Sequence, residues 1–171
     1  HFWLDPVEYS KVLQKLSAKL KQQFPDLAEK ISTNESDYLK QLAQLDSEYR
    51  SGLEKCRIRT FVTSHHAFGY LARRYDLSEV GIAGLSPDSE PTPQRLKEIT
   101  KVVEKTKSTV IFSEELVSPR IAQTVARETG ATVEILSPIE GLSSAEQKQG
   151  IGYIEKMQDN LKKLRKAMSC V

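Results

Sequence analysis

Apolar residues at Val12, Leu13, Leu16 and Leu20 recur at helical spacing behind the dipeptide Asp5-Pro6. Asp5 is a natural helix cap, and Pro6 fits the first helical position, where its missing N–H costs nothing. Glu8 stands where it can complete that cap. The pattern predicts a helix ending near Phe24-Pro25-Asp26. A second, longer helix is predicted over 33–56, opening near Thr33-Asn34, with Tyr38, Leu42, Leu45, Tyr49 and Leu53 as one narrow apolar stripe. Its other faces are charged, which suits a helix lying on a surface or between two lobes.

After Cys56 the period changes. Residues 57–63 alternate and are rich in β-formers, 67–75 read as a short helix, and 79–83 as a strand followed by the loop GLSPDSEPTP. Thr92 and Pro93 open a helix running to about Lys105. A strand at 109–113 leads to a helix with Ser118 as cap, Pro119 at its first position and Gly130 just past its end. A last strand at 132–136 and the loop SPIEGLSS precede a helix with Ile151, Ile154, Met157, Leu161, Leu164 and Met168 on one face. Strands alternating with helices predict an α/β fold: a four-stranded parallel sheet lobe with flanking helices, preceded by the long helix.

Composition narrows the partners. Among 171 residues, 28% are charged and the net charge is only +2 with the signs interspersed, so no basic stripe points to nucleic acid. No stretch of about eighteen consecutive apolar residues occurs, as a membrane-spanning helix requires. Cys56 and Cys170 lack the C-x-x-C spacing of metal ribbons and redox motifs. They are either a disulfide, implying an oxidising compartment, or two unrelated buried thiols. Joined, they would tie the last helix to the start of the first strand.

In a lobe of this kind ligands bind beyond the carboxyl ends of the strands. The successive loops there carry Ser64, His65 and His66, then Asp88 and Glu90, then Glu114 and Glu115, then Glu140. Two histidines and several carboxylates converging on one sheet edge are the donor set of zinc or a similar transition metal. His1, just before a capped helix, has the same grammar; if a strand precedes it, a metal held between two lobes by His1, His65 and Glu140 would follow, the alternative for a histidine at a strand end being a capping or hydrogen-bonding role. Neighbouring residues in an extended turn point apart, so only one of His65 and His66 is expected to bind. Glu114 and Glu115 read most simply as solvated loop carboxylates, and Asp88 and Glu90 as turn residues. No G-x-S-x-G, H-E-x-x-H or Walker motif is present. A zinc metallohydrolase would need Glu114 or Glu115 as its base.

The blocks HFWLDP at 1–6, TSHHAFGYLARRY at 63–75, GLSPDSEPTPQRL at 84–96, IFSEELVSPRIAQTVARETGA at 111–131 and SPIEGL at 137–142 resemble the zinc/manganese solute-binding proteins of bacterial ABC transporters. The resemblance runs the length of the chain in the same order. It implies the C-terminal part of a two-lobed metal-binding protein whose lobes are joined by one long helix, with the metal in the cleft. Residues 1–32 would end the N-terminal lobe, 33–56 form the connecting helix and 57–171 the C-terminal α/β lobe. Carried over by motif, His1, His65 and Glu140 are ligands, and His66 falls at a variable polar position. The family's first ligand, another histidine, belongs to an N-terminal lobe that this sequence does not include. The resemblance implies capture of Zn²⁺, with Mn²⁺ as the alternative cargo, in the periplasm or lipid-anchored on the outer face of the cytoplasmic membrane. Delivery as a monomer to an ABC permease follows. Adhesion by the same fold is a further alternative. Imidazole at position 65 favours zinc over manganese.

Overall fold

The computed structural model describes residues 1–84, 91–115 and 118–171. Helix α1, Pro6–Gln23, is capped by Asp5, whose carboxylate accepts from the backbone N–H groups of Val7 and Glu8. Glu8 does not reach back to complete the cap; it pairs with Lys11 at 2.7 Å. Pro25 opens a 3₁₀ turn over Pro25–Leu27, which runs directly into α2, Ala28–Leu53. The long helix therefore starts at Ala28 and not at Thr33, because the fixed φ of Pro25 already supplies a helical first turn. Thr33 lies inside it, its hydroxyl donating to the Glu29 carbonyl at 3.1 Å. Leu42, Leu45, Tyr49 and Leu53 are buried as the stripe predicts. On α1 the outcome differs: Val12, Leu16 and Leu20, continued by Phe24 and Leu27, are 36–54% exposed, while α1 packs on α2 through other residues.

The rest of the described chain alternates. β1 is Thr60–Thr63, α3 Gly69–Arg74, β2 Ser78–Gly81, α4 Pro93–Thr106, β3 Val110–Ser113, α5 Arg120–Thr129, β4 Thr132–Ile135, α6 Ser144–Lys148 and α7 Tyr153–Ala167. All four strands pair in parallel in the order β2-β1-β3-β4, which places β3 between β1 and β4. Side-chain alternation sorts the sheet's two faces. Phe61 and Phe112 point into a core with Leu45, Tyr49, Leu71, Met157 and Leu164 from α2, α3 and α7. Val62 and Ile111 point the other way, onto Ile99, Val103 and Val125 of α4 and α5. Both faces are covered, as a parallel sheet requires.

Several element ends depart from expectation for local reasons. Residues 57–58 stay out of the sheet because their N–H groups bond the Ser169 and Met168 carbonyls, beside a disulfide between Cys56 and Cys170. That bond closes a sequence separation of 114 residues, which stabilises the fold by about 4 to 5 kcal/mol in the chain-entropy model. Ser118 does not cap α5: Pro119 holds the cap position, and no side chain bonds there. Thr92 and Gly130 do act as cap and left-handed stop. The short α6, which the pattern does not predict, opens on a capping box of Ser143 with Glu146, just past the SPIEGL loop. Asp88 and Glu90 lie outside the described residues. Among the described residues no helix is long and apolar enough to cross a membrane.

Candidate metal centre

The turn after β1 is packed tightly against the end of β2. Ile82 and Ala83 donate their N–H groups to the carbonyls of Thr63 and Ser64, and His66 donates to Gly84. A Cβ at Gly81 would stand 2.9 Å from both the Ala83 oxygen and the His66 nitrogen, so only glycine permits this approach. Thr63 Oγ1 bonds the His65 carbonyl at 2.8 Å, fixing the backbone that carries the histidine.

His65 is fully buried. Its Nδ1 lies 2.5 Å from Glu114 Oε1, and its Nε2 has no partner among the described residues. A carboxylate only accepts, so Nδ1–H donates and Nε2 keeps a free lone pair facing the other donors. Glu114 is itself 4% exposed, correcting its reading as a solvated loop residue. Burial holds its carboxyl above the ordinary range, against the hydrogen bond from His65 that pulls it down.

Glu140 sits on a loop braced from two sides. The buried Asn160 of α7 bonds both the N–H and the carbonyl of Ser137, at 2.9 and 2.7 Å. Trp3 Nε1 donates to the Pro138 carbonyl at 2.8 Å. The N-terminal segment is anchored in turn by the fully buried Leu4 and by Tyr153, whose hydroxyl donates to the Trp3 carbonyl at 2.5 Å. These contacts bring His1 over the edge of the sheet, its ring centroid 5.4 Å from that of His65. His1 Nε2 and Glu140 Oε1 are 2.7 Å apart, with side chains 18% and 42% exposed.

The donor atoms of His1, His65 and Glu140 all lie within 4.8 Å of one another, the one such group among the described residues. Donors at about 2.0 to 2.1 Å from a tetrahedral zinc stand roughly 3.3 Å apart, so small movements suffice, including separation of the His1–Glu140 pair. His66 is elsewhere, its Nδ1 2.9 Å from the buried Glu79 and its side chain 47% exposed. Glu115 is not free either: it accepts from Ser137 Oγ at 2.8 Å and pairs with Lys156, which also pairs with Glu146 at 2.7 Å. Sequence reasoning passed over Lys156 and Asn160. Their signal was a lysine and an asparagine beside Met157 and Leu161 in the last helix's apolar pattern.

Known proteins resemble this chain along nearly its whole length. The family model described as zinc-uptake complex component A, periplasmic (ZnuA) matches residues 1–167. The high-affinity zinc uptake system protein ZnuA of Bacillus subtilis is 40% identical over 168 residues, covering 98% of this chain and 53% of that protein. Among solved structures, the laminin-binding protein Lbp of Streptococcus pyogenes superposes with a TM-score of 0.89 at 37% identity, over 98% of this chain and 65% of that one. The Zn(II)-bound ZnuA-like domain of Streptococcus pneumoniae AdcA gives 0.83 at 39% identity, over 98% and 63%. The chain thus spans about half the length of the Bacillus subtilis relative and under two thirds of these two structures. With the family model matched over nearly all of its length, this chain belongs to the ZnuA family of periplasmic zinc-uptake components.

Proposed function

We propose that this chain binds Zn²⁺ through His1, His65 and Glu140 and serves a solute-binding protein that captures zinc outside the cytoplasmic membrane and delivers it to an ABC permease. The observation that carries this reading is the unpartnered, fully buried Nε2 of His65 beside His1 and Glu140. A buried ring nitrogen without a partner is costly unless something binds it. The relatives are named for zinc uptake and zinc binding, which supports the choice of cargo. Two imidazoles and one carboxylate suit zinc better than manganese, which favours oxygen donors. In the proposed whole protein, residues 1–32 end the N-terminal lobe, residues 33–56, mostly within α2, join the lobes, and a further histidine in the N-terminal lobe supplies the remaining ligand.

Capture is favoured over hydrolysis because the acids closest to the centre are engaged. Glu114 is held by His65, and Glu115 by Ser137 and Lys156, so neither is placed as a general base. Titrating the chain with Zn²⁺ and with Mn²⁺ against a competing chelator tests the reading. Zinc should bind more tightly at one site, and a double variant of His1→Ala and His65→Ala should lose that site. Equal affinity for both metals would refute the preference, and unchanged zinc binding in the double variant would refute the site.

A further inference from the structure

β3 contributes no donor to the group of His1, His65 and Glu140, yet it lies between the two strands whose loops supply His65 and Glu140. Just beyond its carboxyl end stand two consecutive carboxylates that leave the chain in different directions. Glu114 reaches the β1 side and meets His65 Nδ1. Glu115 reaches the β4 side and accepts from Ser137 Oγ. We propose that the Glu114-Glu115 pair positions the metal centre, Glu114 setting the His65 ring and Glu115 setting the loop that carries Glu140. The assignment rests on the reading of His65 and Glu140 as ligands.

Each half has its own physical warrant. Glu114 is almost fully buried, its second oxygen has no hydrogen-bond partner among the described residues, and its other oxygen is committed to a single imidazole nitrogen. For a purely structural carboxyl that burial is poorly compensated. As the acceptor of Nδ1–H, Glu114 selects the tautomer whose Nε2 can take a metal, orients the ring, and makes the imidazole a better donor. Glu115 acts at one remove. Ser137 Oγ donates to Glu115 and accepts from the N–H of Ile139 at 3.3 Å. Ile139 has φ of +56°, a left-handed conformation that a β-branched residue adopts only when its surroundings impose it. The next residue is Glu140. Lys156, itself 6% exposed, pairs with Glu115 on the far side. The chain of contacts from Glu115 through Ser137 to Ile139 therefore sets where Glu140 leaves the backbone.

The test combines two readouts on the full chain: ¹⁵N spectra of the histidine rings without metal, and zinc affinity by chelator competition. The wild type should show His65 protonated at Nδ1. Glu114→Ala should mix the two tautomers and weaken zinc binding about ten- to a hundredfold. Glu114→Gln, whose amide oxygen can still accept, should restore the tautomer and part of the affinity. Glu115→Gln should weaken zinc binding about three- to tenfold, with no further loss once Glu140→Ala is present, whereas Glu114→Ala should keep its full effect in that background. The assignment of Glu114 is overturned if Glu114→Ala leaves tautomer and affinity unchanged. Should that variant not fold, wild-type tautomer and zinc affinity in Glu114→Leu, which fills the space but cannot accept, overturn it. The assignment of Glu115 is overturned if Glu115→Gln costs the same with and without Glu140. Wild-type affinity in His65→Ala and Glu140→Ala would instead overturn the ligand reading itself, so the two failures are distinguishable.

Discussion

His65 and the His1–Glu140 pair face one another across a few ångströms but are built on opposite terms. His65 is buried, its ring fixed by Glu114, its free nitrogen waiting. His1 and Glu140 are partly exposed and spend their hydrogen-bonding capacity on each other. An ordered donor with no partner loses little freedom when an ion arrives and gains a bond it lacked. A pair already bonded in contact with water must first part. The affinity of this centre should therefore rest mainly on the sheet side, and the ease of loading and unloading on the exposed side.

The contrast is most vulnerable at the sheet side. His65→Ala should cost more than about a hundredfold in zinc affinity, beyond the ten- to hundredfold typical of an outer-sphere partner alone. If Glu140→Ala costs more than His65→Ala in the same chelator competition, the ranking is wrong. Acid comes next. Protons compete with zinc for the imidazole nitrogens, so affinity should fall as the pH is lowered. His1→Ala should make that fall less steep; an unchanged slope would remove His1 from the centre. Glu140→Ala should lower affinity by less than His65→Ala does and speed zinc release in stopped-flow mixing, since water can take the vacated position.

The smallest effect leaves the metal untouched. Glu146, which shares Lys156 with Glu115, is pulled down to about 2 by its hydrogen bonds from Lys156 and Ser143. A carboxyl whose folded value lies below its unfolded value of 4.5 stabilises the fold fully above that pH and loses the contribution as pH falls towards 2. Glu146→Gln should therefore flatten the acid limb of the unfolding curve in that window. Zinc affinity at neutral pH should stay within about twofold of the wild type, because Lys156 keeps its pair with Glu115.

Much of this fold was legible because local chemistry and global topology agree. Asp5-Pro6, Thr92-Pro93 and Gly130 mark helix ends wherever they occur, and alternating strands and helices leave few arrangements other than a covered parallel sheet. That His65 and Glu140 lie close together was legible because both follow strands of one sheet. Their supports were not. Whether Glu114 is solvated or buried depends on β3 lying between β1 and β4, and strand order is not written in any periodicity. Adjacent acids before a helix look the same in either case. Lys156 and Asn160 sit among apolar residues of α7, where a polar side chain signals a buried partner without naming it. The start of α2 was misplaced because Thr33-Asn34 resembles a cap, although Pro25 had already begun the helix.

The outward row on α1, from Val12 through Leu16 and Leu20 to Phe24 and Leu27, has a practical consequence for anyone handling this chain. Large aliphatic and aromatic side chains aligned in water attract their like. The second virial coefficient of the isolated chain should accordingly be negative at moderate salt, and light scattering should register self-association growing with concentration. Calorimetric stoichiometries for zinc would then drift with the amount of protein loaded, and dilution would be the simplest remedy.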